Sequence, residues 1–129
     1  MKYRVIACID DEAVILMAMA MELRRHFGPE FVIETATSAD ELELSLRDDL
    51  AEGMELACII TDWIMPGLKG EDVAARLRAL APGTPVVLMT GHSEAGEAEA
   101  AIAADGPVRI LRKPWRQKAL VETLTELLA

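Results

Sequence analysis

The sequence predicts an α/β fold, a parallel sheet of five strands alternating with five helices. Three observations carry this. Five short apolar runs, at residues 3–9, 31–37, 58–62, 85–90 and 108–112, each stop at a polar or turn residue. Between them lie longer stretches with helical spacing, closed by Gly28-Pro29, Gly53, Pro82-Gly83 and Asp105-Gly106-Pro107. Regular alternation of strand and helix implies right-handed crossovers and a parallel sheet with helices on both faces.

The elements follow in order. Residues 3–9 form the first strand, ended by Asp10-Asp11-Glu12. A helix runs from Ala13 to about Phe27. Residues 31–37 form a second strand whose apolar positions alternate, as at a sheet edge. Ser38, with Glu41 three residues on, is the start signal of the next helix, which runs to about Ala51. The third strand is the run that ends at Asp62 and breaks into the turn Pro66-Gly67. It reads as buried on both faces. Glu71 to Leu80 is helical, residues 85–90 form the fourth strand, and Glu94 to Ala104 is an Ala/Glu-rich helix. Residues 108–112 form the fifth strand, ended by Lys113-Pro114, and the last helix spans Trp115 to Leu128.

At 129 residues the chain fits one domain, residues 1–129, and 52% hydrophobic residues suffice for its core. A net charge of −9 argues against a nucleic-acid-binding footprint and against an anionic membrane as partner. No run approaches the ~20 apolar residues of a membrane span, and the start lacks the small-residue cleavage site of a signal peptide. The expectation is a soluble, cytoplasmic protein. Cys8 and Cys58 both lie in strand runs and read as small buried hydrophobes rather than a metal or redox pair.

Parallel strands share a direction, so their carboxyl ends share one edge, where open α/β sheets place ligands. The first strand ends at Asp10 and Asp11, the third at Asp62, the fourth at Thr90 and the fifth at Lys113. Taken singly, Asp10 and Asp11 could be caps of the first helix and Lys113 a surface lysine. Together they form three carboxylates, a hydroxyl and an ammonium. Clustered carboxylates repel one another unless a cation joins them. Mg²⁺ suits one or two carboxylates plus water and phosphate. A carboxylate beside it can attack phosphorus and become an aspartyl phosphate. Lys113 would neutralise phosphoryl charge and Thr90 would donate a hydrogen bond to a phosphoryl oxygen.

The set Ile9-Asp10-Asp11-Glu12, Asp62 with Met65-Pro66 and Gly70, Thr90-Gly91 and Lys113-Pro114 resembles the receiver domain of two-component response regulators, over essentially the whole chain. The resemblance implies a doubly wound, flavodoxin-like sheet of order 2-1-3-4-5. It makes Asp62 the phospho-acceptor. Mg²⁺ would be held by Asp11, Asp62 and the backbone carbonyl of Ile64, with Asp10 assisting. Thr90 and Lys113 become the phosphoryl-binding switch pair, and the Lys113-Pro114 bond becomes cis. The donor would be a histidine kinase or histidine phosphotransfer protein. Phosphorylation would shift an inactive–active equilibrium and alter the surface of the fourth helix, fifth strand and fifth helix, and a homodimer could form through the fourth-helix face. The domain would be a switch rather than a metabolic enzyme.

Three positions depart from the family pattern. Ile110 stands where a switch aromatic is common. Ile64 and His92 occupy the two positions that steer the water hydrolysing the acyl phosphate, and apolar Ile64 implies slow hydrolysis unless His92 offsets it. Two rival functions carry less of the pattern. A phosphohydrolase forming an aspartyl phosphate would place an Asp-x-Asp nucleophile after the first strand, where this chain has Asp10-Asp11-Glu12. A degenerate receiver acting only as a protein-binding module would not need the full set. The ending Arg112-Lys113-Pro114-Trp115 also resembles receivers attached to cyclic-dinucleotide phosphodiesterases.

The first helix has an apolar surplus. Ile15, Ala18, Met19, Leu23 and His26 trace one face at helical spacing, which leaves Val14, Met17 and Met21 pointing elsewhere. Met-rich patches suit adaptable docking, and in the family this helix docks on the kinase or phosphotransfer bundle. Trp63 and Trp115 read as packing residues beside the site, with Trp63 a natural fluorescence reporter. His26 is expected to sit at a helix C-terminus without further function.

Overall fold

The computed structural model describes residues 3–91 and 96–129. Five strands, β1 (Arg4–Ile9), β2 (Phe31–Ala36), β3 (Glu55–Asp62), β6 (Val86–Thr90) and β7 (Val108–Arg112), form one parallel sheet of order β2-β1-β3-β6-β7. The predicted order 2-1-3-4-5 is therefore the observed one. Between β3 and β6 a small antiparallel ribbon, β4 (Ile64–Met65) with β5 (Leu68–Lys69), stands apart from the sheet. The helices are α1 (Ala13–Phe27), α2 (Ala39–Ala51), α3 (Gly70–Leu80), α4 (Gly96–Ala103) and α5 (Gln117–Leu128).

The sheet has two dry faces. Val5, Ala7, Ile9, Ile59, Val86 and Leu88 face α2, α3 and α4, meeting Leu42, Leu46, Val73, Leu77 and Ile102. Their strand neighbours Ile6, Cys8, Cys58, Ile60, Val87 and Met89 face α1 and α5, meeting Leu16, Met19, Leu23, Leu120 and Leu124. This is the period of two expected of a strand. Because both faces are covered, the central strands read as continuous apolar runs. The edge strands β2 and β7 are only partly buried. Both cysteines are free and wholly buried. Burial pushes the Cys58 thiol up to about 12 and raises that of Cys8, where the neighbouring Cys58 adds to the effect.

Local chemistry explains the boundaries. The Ser38 hydroxyl oxygen accepts the Glu41 amide at 3.3 Å and caps α2. The Asp72 carboxylate accepts the Lys69 amide at 3.3 Å and starts α3 one residue before the predicted Glu71. Helix α5 begins at Gln117, two residues later than predicted. Pro114 is in a cis bond, and Arg116 is the extended N-cap residue.

The buried stripe of α1 is Leu16, Met19, Ala20 and Leu23, flanked by Phe27, rather than the predicted Ile15-Ala18-Met19-Leu23-His26 stripe. Ala18 and His26 are exposed. His26 lies 3.5 Å from Glu22 and 3.1 Å from Gln117 of α5. Residues 13–21 are apolar throughout, so hydropathy alone could not fix the phase, and the sheet selects the i, i+3, i+4, i+7 set. Val14, Met17 and Met21 are exposed. The predicted start of α4 at Glu94 and the residue His92 lie outside the described residues.

The ribbon places Pro66 and Gly67 at the centre of its turn, with Gly67 at φ 72°. Pro at the first central position and a positive φ at the second are the requirements of a type II turn. The ribbon returns the chain so closely that Gly70 donates its N–H to the Trp63 carbonyl at 2.7 Å. A Cβ on Gly70 would lie 2.7 Å from both the Asp62 carbonyl oxygen and a Leu88 methyl. Gly70→Ala is therefore expected to destabilise the domain by about 1–3 kcal/mol. Urea unfolding checks this, and an unchanged midpoint would show that β3 and the ribbon can part without loss.

Candidate functional site at the carboxyl edge of the sheet

Each side chain at this edge is delivered by a strand end. Asp10 follows β1, and its amide extends the ladder to the Ala36 carbonyl at 3.4 Å. It is wholly buried. Its Oδ1 accepts the Glu12 amide at 2.9 Å, so one oxygen does serve the first turn of α1. The other, Oδ2, is buried without a hydrogen bond and sits 3.8 Å from Lys113 Nζ. Asp11 is exposed beside it. Asp62, the last residue of β3, is 8% exposed, and its Oδ2 lies 2.8 Å from Lys113 Nζ. Next to it the Thr61 hydroxyl donates to the Asp62 carbonyl at 3.0 Å, and the Trp63 amide donates to Met89 at 2.9 Å, pinning the strand end to β6.

Thr90 ends β6 and is buried. The Lys113 amide donates to the Thr90 carbonyl at 2.8 Å, so the β6–β7 ladder carries the lysine to the same edge. The Lys113–Pro114 peptide is cis. Ile64 lies on β4 with its side chain exposed. Asp62, Trp63, Ile64, Thr90, Gly91 and Lys113 surround an open cavity of about 310 Å³, which has room for a phosphoryl group beside the Asp62 carboxylate. The Trp63 indole N–H is buried and has no hydrogen-bond partner among the described residues.

Oxygens of Asp10, Asp11 and Asp62 lie within 4.8 Å of one another. Burial raises the Asp10 carboxyl above the usual range, opposed by the Glu12 amide and the Lys113 charge, while Asp62 and Asp11 push it further up. Burial works to lower the Lys113 ammonium, but its hydrogen bond and charge contact with Asp62, helped by Asp10 and Glu12, win and hold it above its ordinary value. The donor set is oxygen only, partly exposed through Asp11 and over-supplied with negative charge. The orphaned Asp10 Oδ2 is an acceptor short of a cation. These features fit a hard divalent ion such as Mg²⁺.

A doubly wound sheet with three clustered acids, a buried threonine and an ion-paired lysine along its carboxyl edge defines a phospho-accepting signalling switch rather than a metabolic enzyme. The comparisons agree. Residues 6–125 match the response regulator receiver domain family, and the chain belongs to it. The C4-dicarboxylate transport transcriptional regulatory protein DctD of Rhizobium meliloti is 31% identical over 89% of this chain and 23% of that protein. The response regulator protein TodT of Pseudomonas putida is 32% identical over 91% of this chain and 48% of that protein. The chain thus spans about a quarter to a half of the length of these curated relatives. Among solved structures, a response regulator receiver protein from Burkholderia phymatum superposes with TM-score 0.74 at 31% identity, covering 97% of this chain and 94% of that one. A receiver domain protein from Clostridium thermocellum gives 0.76 at 27%, with the same coverage. Receivers of this family take phosphoryl groups from histidine kinases or phosphotransfer proteins. No helix among the described residues is long and apolar enough to cross a membrane.

The raised Asp10 carboxyl has a consequence for stability. A carboxyl whose folded-state affinity for protons exceeds its unfolded value favours the fold when protonated, and that contribution is lost as pH rises through the folded value. Asp10→Asn removes the charge permanently. It is expected to stabilise the metal-free protein by about 0.5–2 kcal/mol at pH 7, with the advantage shrinking as pH falls through the raised folded value and gone below the ordinary carboxyl value of 3.8. Denaturant titrations at several pH values test this. A variant no more stable than wild type at pH 7 would show that Lys113 already neutralises the cluster.

Proposed function

We propose that Asp62 is the phospho-acceptor of this receiver and that Lys113 and Thr90 receive the transferred group. The observation that carries the reading is the 2.8 Å contact of Lys113 Nζ with Asp62 Oδ2 on the wall of a cavity that Thr90 also lines. An Asp62 oxygen attacks phosphorus in line with the leaving group, the phosphorus–donor bond breaks, and the donor departs with its electron pair. Lys113 turns from the carboxylate to a phosphoryl oxygen, and the Thr90 hydroxyl donates to another. Residues that would hold Mg²⁺ are Asp10, Asp11, Asp62 and the Ile64 backbone carbonyl. When bound, the ion supplies neutralisation of charge on the carboxylates and the phosphoryl oxygens. Before transfer, Lys113 is the cation that offsets the cluster among the described residues.

The donor is proposed to be a phosphohistidine of a kinase or phosphotransfer protein, docked along α1. Support comes from the exposed Val14, Met17 and Met21. Met17 and Met21 also line a groove of about 320 Å³ with Arg24, Thr37 and Glu41. The domain would then control an output through the surface of α4, β7 and α5.

Intact mass after incubation with acetyl phosphate tests the acceptor. A single phosphoryl adduct is expected for wild type with Mg²⁺, and loss of more than about tenfold in uptake for Asp62→Asn or with the metal chelated. An equal adduct on Asp62→Asn would move the acceptor elsewhere. For the docking face, the double change Met17→Glu and Met21→Glu is expected to slow transfer from a phosphohistidine donor by about tenfold or more while leaving uptake from acetyl phosphate unchanged. Equal losses with both donors would remove α1 from the reading.

A further inference from the structure

Arg78 is the one arginine among the buried polar residues described, 6% exposed in the last turn of α3. Its guanidinium has no carboxylate within ion-pair distance among the described contacts, and burial lowers its proton affinity, with only the charge of Asp105 opposing. Three backbone carbonyls satisfy it instead. Nε donates to Thr84 at 2.9 Å, Nη2 to Pro107 at 3.0 Å, and Nη1 to Ile102. A planar fork with donors at fixed angles can hold three acceptors in one arrangement, as a lysine cannot.

Each acceptor belongs to a different segment of the chain. Thr84 precedes β6, which carries Thr90 at its far end. Pro107 precedes β7, which carries Lys113. Its carbonyl also accepts the Val86 amide at 2.9 Å, so Arg78 grips the first rung of the β6–β7 ladder. Ile102 lies in the last turn of α4, a turn with no basic residue of its own. There the guanidinium acts as a C-terminal cap supplied by another helix. The described α4 has eight residues, a length at which a helix depends on tertiary contacts. The fit is close, since a Cβ on Gly106, whose φ is 152°, would lie 2.8 Å from Nη2.

We propose that Arg78 is a positioning residue that couples the site to α4. From the opposite edge of the sheet, roughly 20 Å from Thr90 along the strand direction, its three bonds set the strands bearing Thr90 and Lys113 and hold the last turn of α4 to them. Release of α4 from Arg78 lets the helix change without altering Asp62. The role in signalling rests on Asp62 as acceptor; the anchoring of α4 does not.

Hydrogen exchange read by mass spectrometry tests both parts, on wild type, Arg78→Lys and Arg78→Met, each with and without acetyl phosphate and Mg²⁺, with phosphoryl uptake measured on the same samples. Without phosphorylation, α4 is expected to exchange about tenfold faster in both variants while β1 and α1 keep wild-type protection. With uptake retained, the phosphorylation-dependent change in α4 exchange is expected to fall to under half of the wild-type change. Wild-type protection of α4 in Arg78→Met would overturn the proposal, as would acceleration of every segment together or wild-type behaviour in Arg78→Lys. If Arg78→Met does not fold, Arg78→Lys decides alone. Absence of an adduct on wild type would count against Asp62 as acceptor, while the exchange of α4 without phosphate would still decide the anchoring.

Discussion

Crowding of like charge governs this molecule. Three carboxylates are confined within 4.8 Å, one of them wholly buried, and a single ammonium 2.8 Å from Asp62 and 3.8 Å from Asp10 stands against them. The remaining architecture serves that confinement. Parallel strands bring four chain segments to one edge, two dry faces keep the strands from separating, and the ladder from Thr90 to Lys113 delivers the lysine. A site crowded with negative charge gains most from a cation.

Much of this was legible in the chain. Strand ends announced themselves because burial on both faces disfavours a charged residue inside a central strand, so Asp10 and Asp62 each marked a boundary, while Gly91 and Pro114 marked the ends at Thr90 and Lys113. Direction then followed from alternation, and a common edge from direction. The glycine and proline punctuation fixed the helix ends to within a residue or two.

What escaped the sequence did so for physical reasons. The phase of α1 was hidden by an apolar stretch with no polar face to break the symmetry. The ribbon of β4 and β5 has two residues per strand, too few for any period to register. Arg78 follows Leu77 in a helix rich in arginine and looks like one more solvated charge. Its burial depends on carbonyls 6, 24 and 29 residues further along the chain, and no local pattern reports those. The buried indole N–H of Trp63 is of the same kind, a consequence of what surrounds it rather than of its neighbours in sequence.

The ammonium that balances the acids sits just beyond β7, and β7 is one of the two outer strands of the sheet, paired with β6 alone among the described strands. The charge that the acidic centre depends on is therefore carried by an edge strand. Linkage gives this a strict meaning. Any molecule that binds the open flank of β7 more tightly in one state than in the other must alter the free energy of phosphoryl addition by the same factor, and phosphoryl addition must alter that molecule's affinity equally. A binder on that flank is thus an input as well as a reader, and titrating it would change how strongly the acid cluster holds its phosphate.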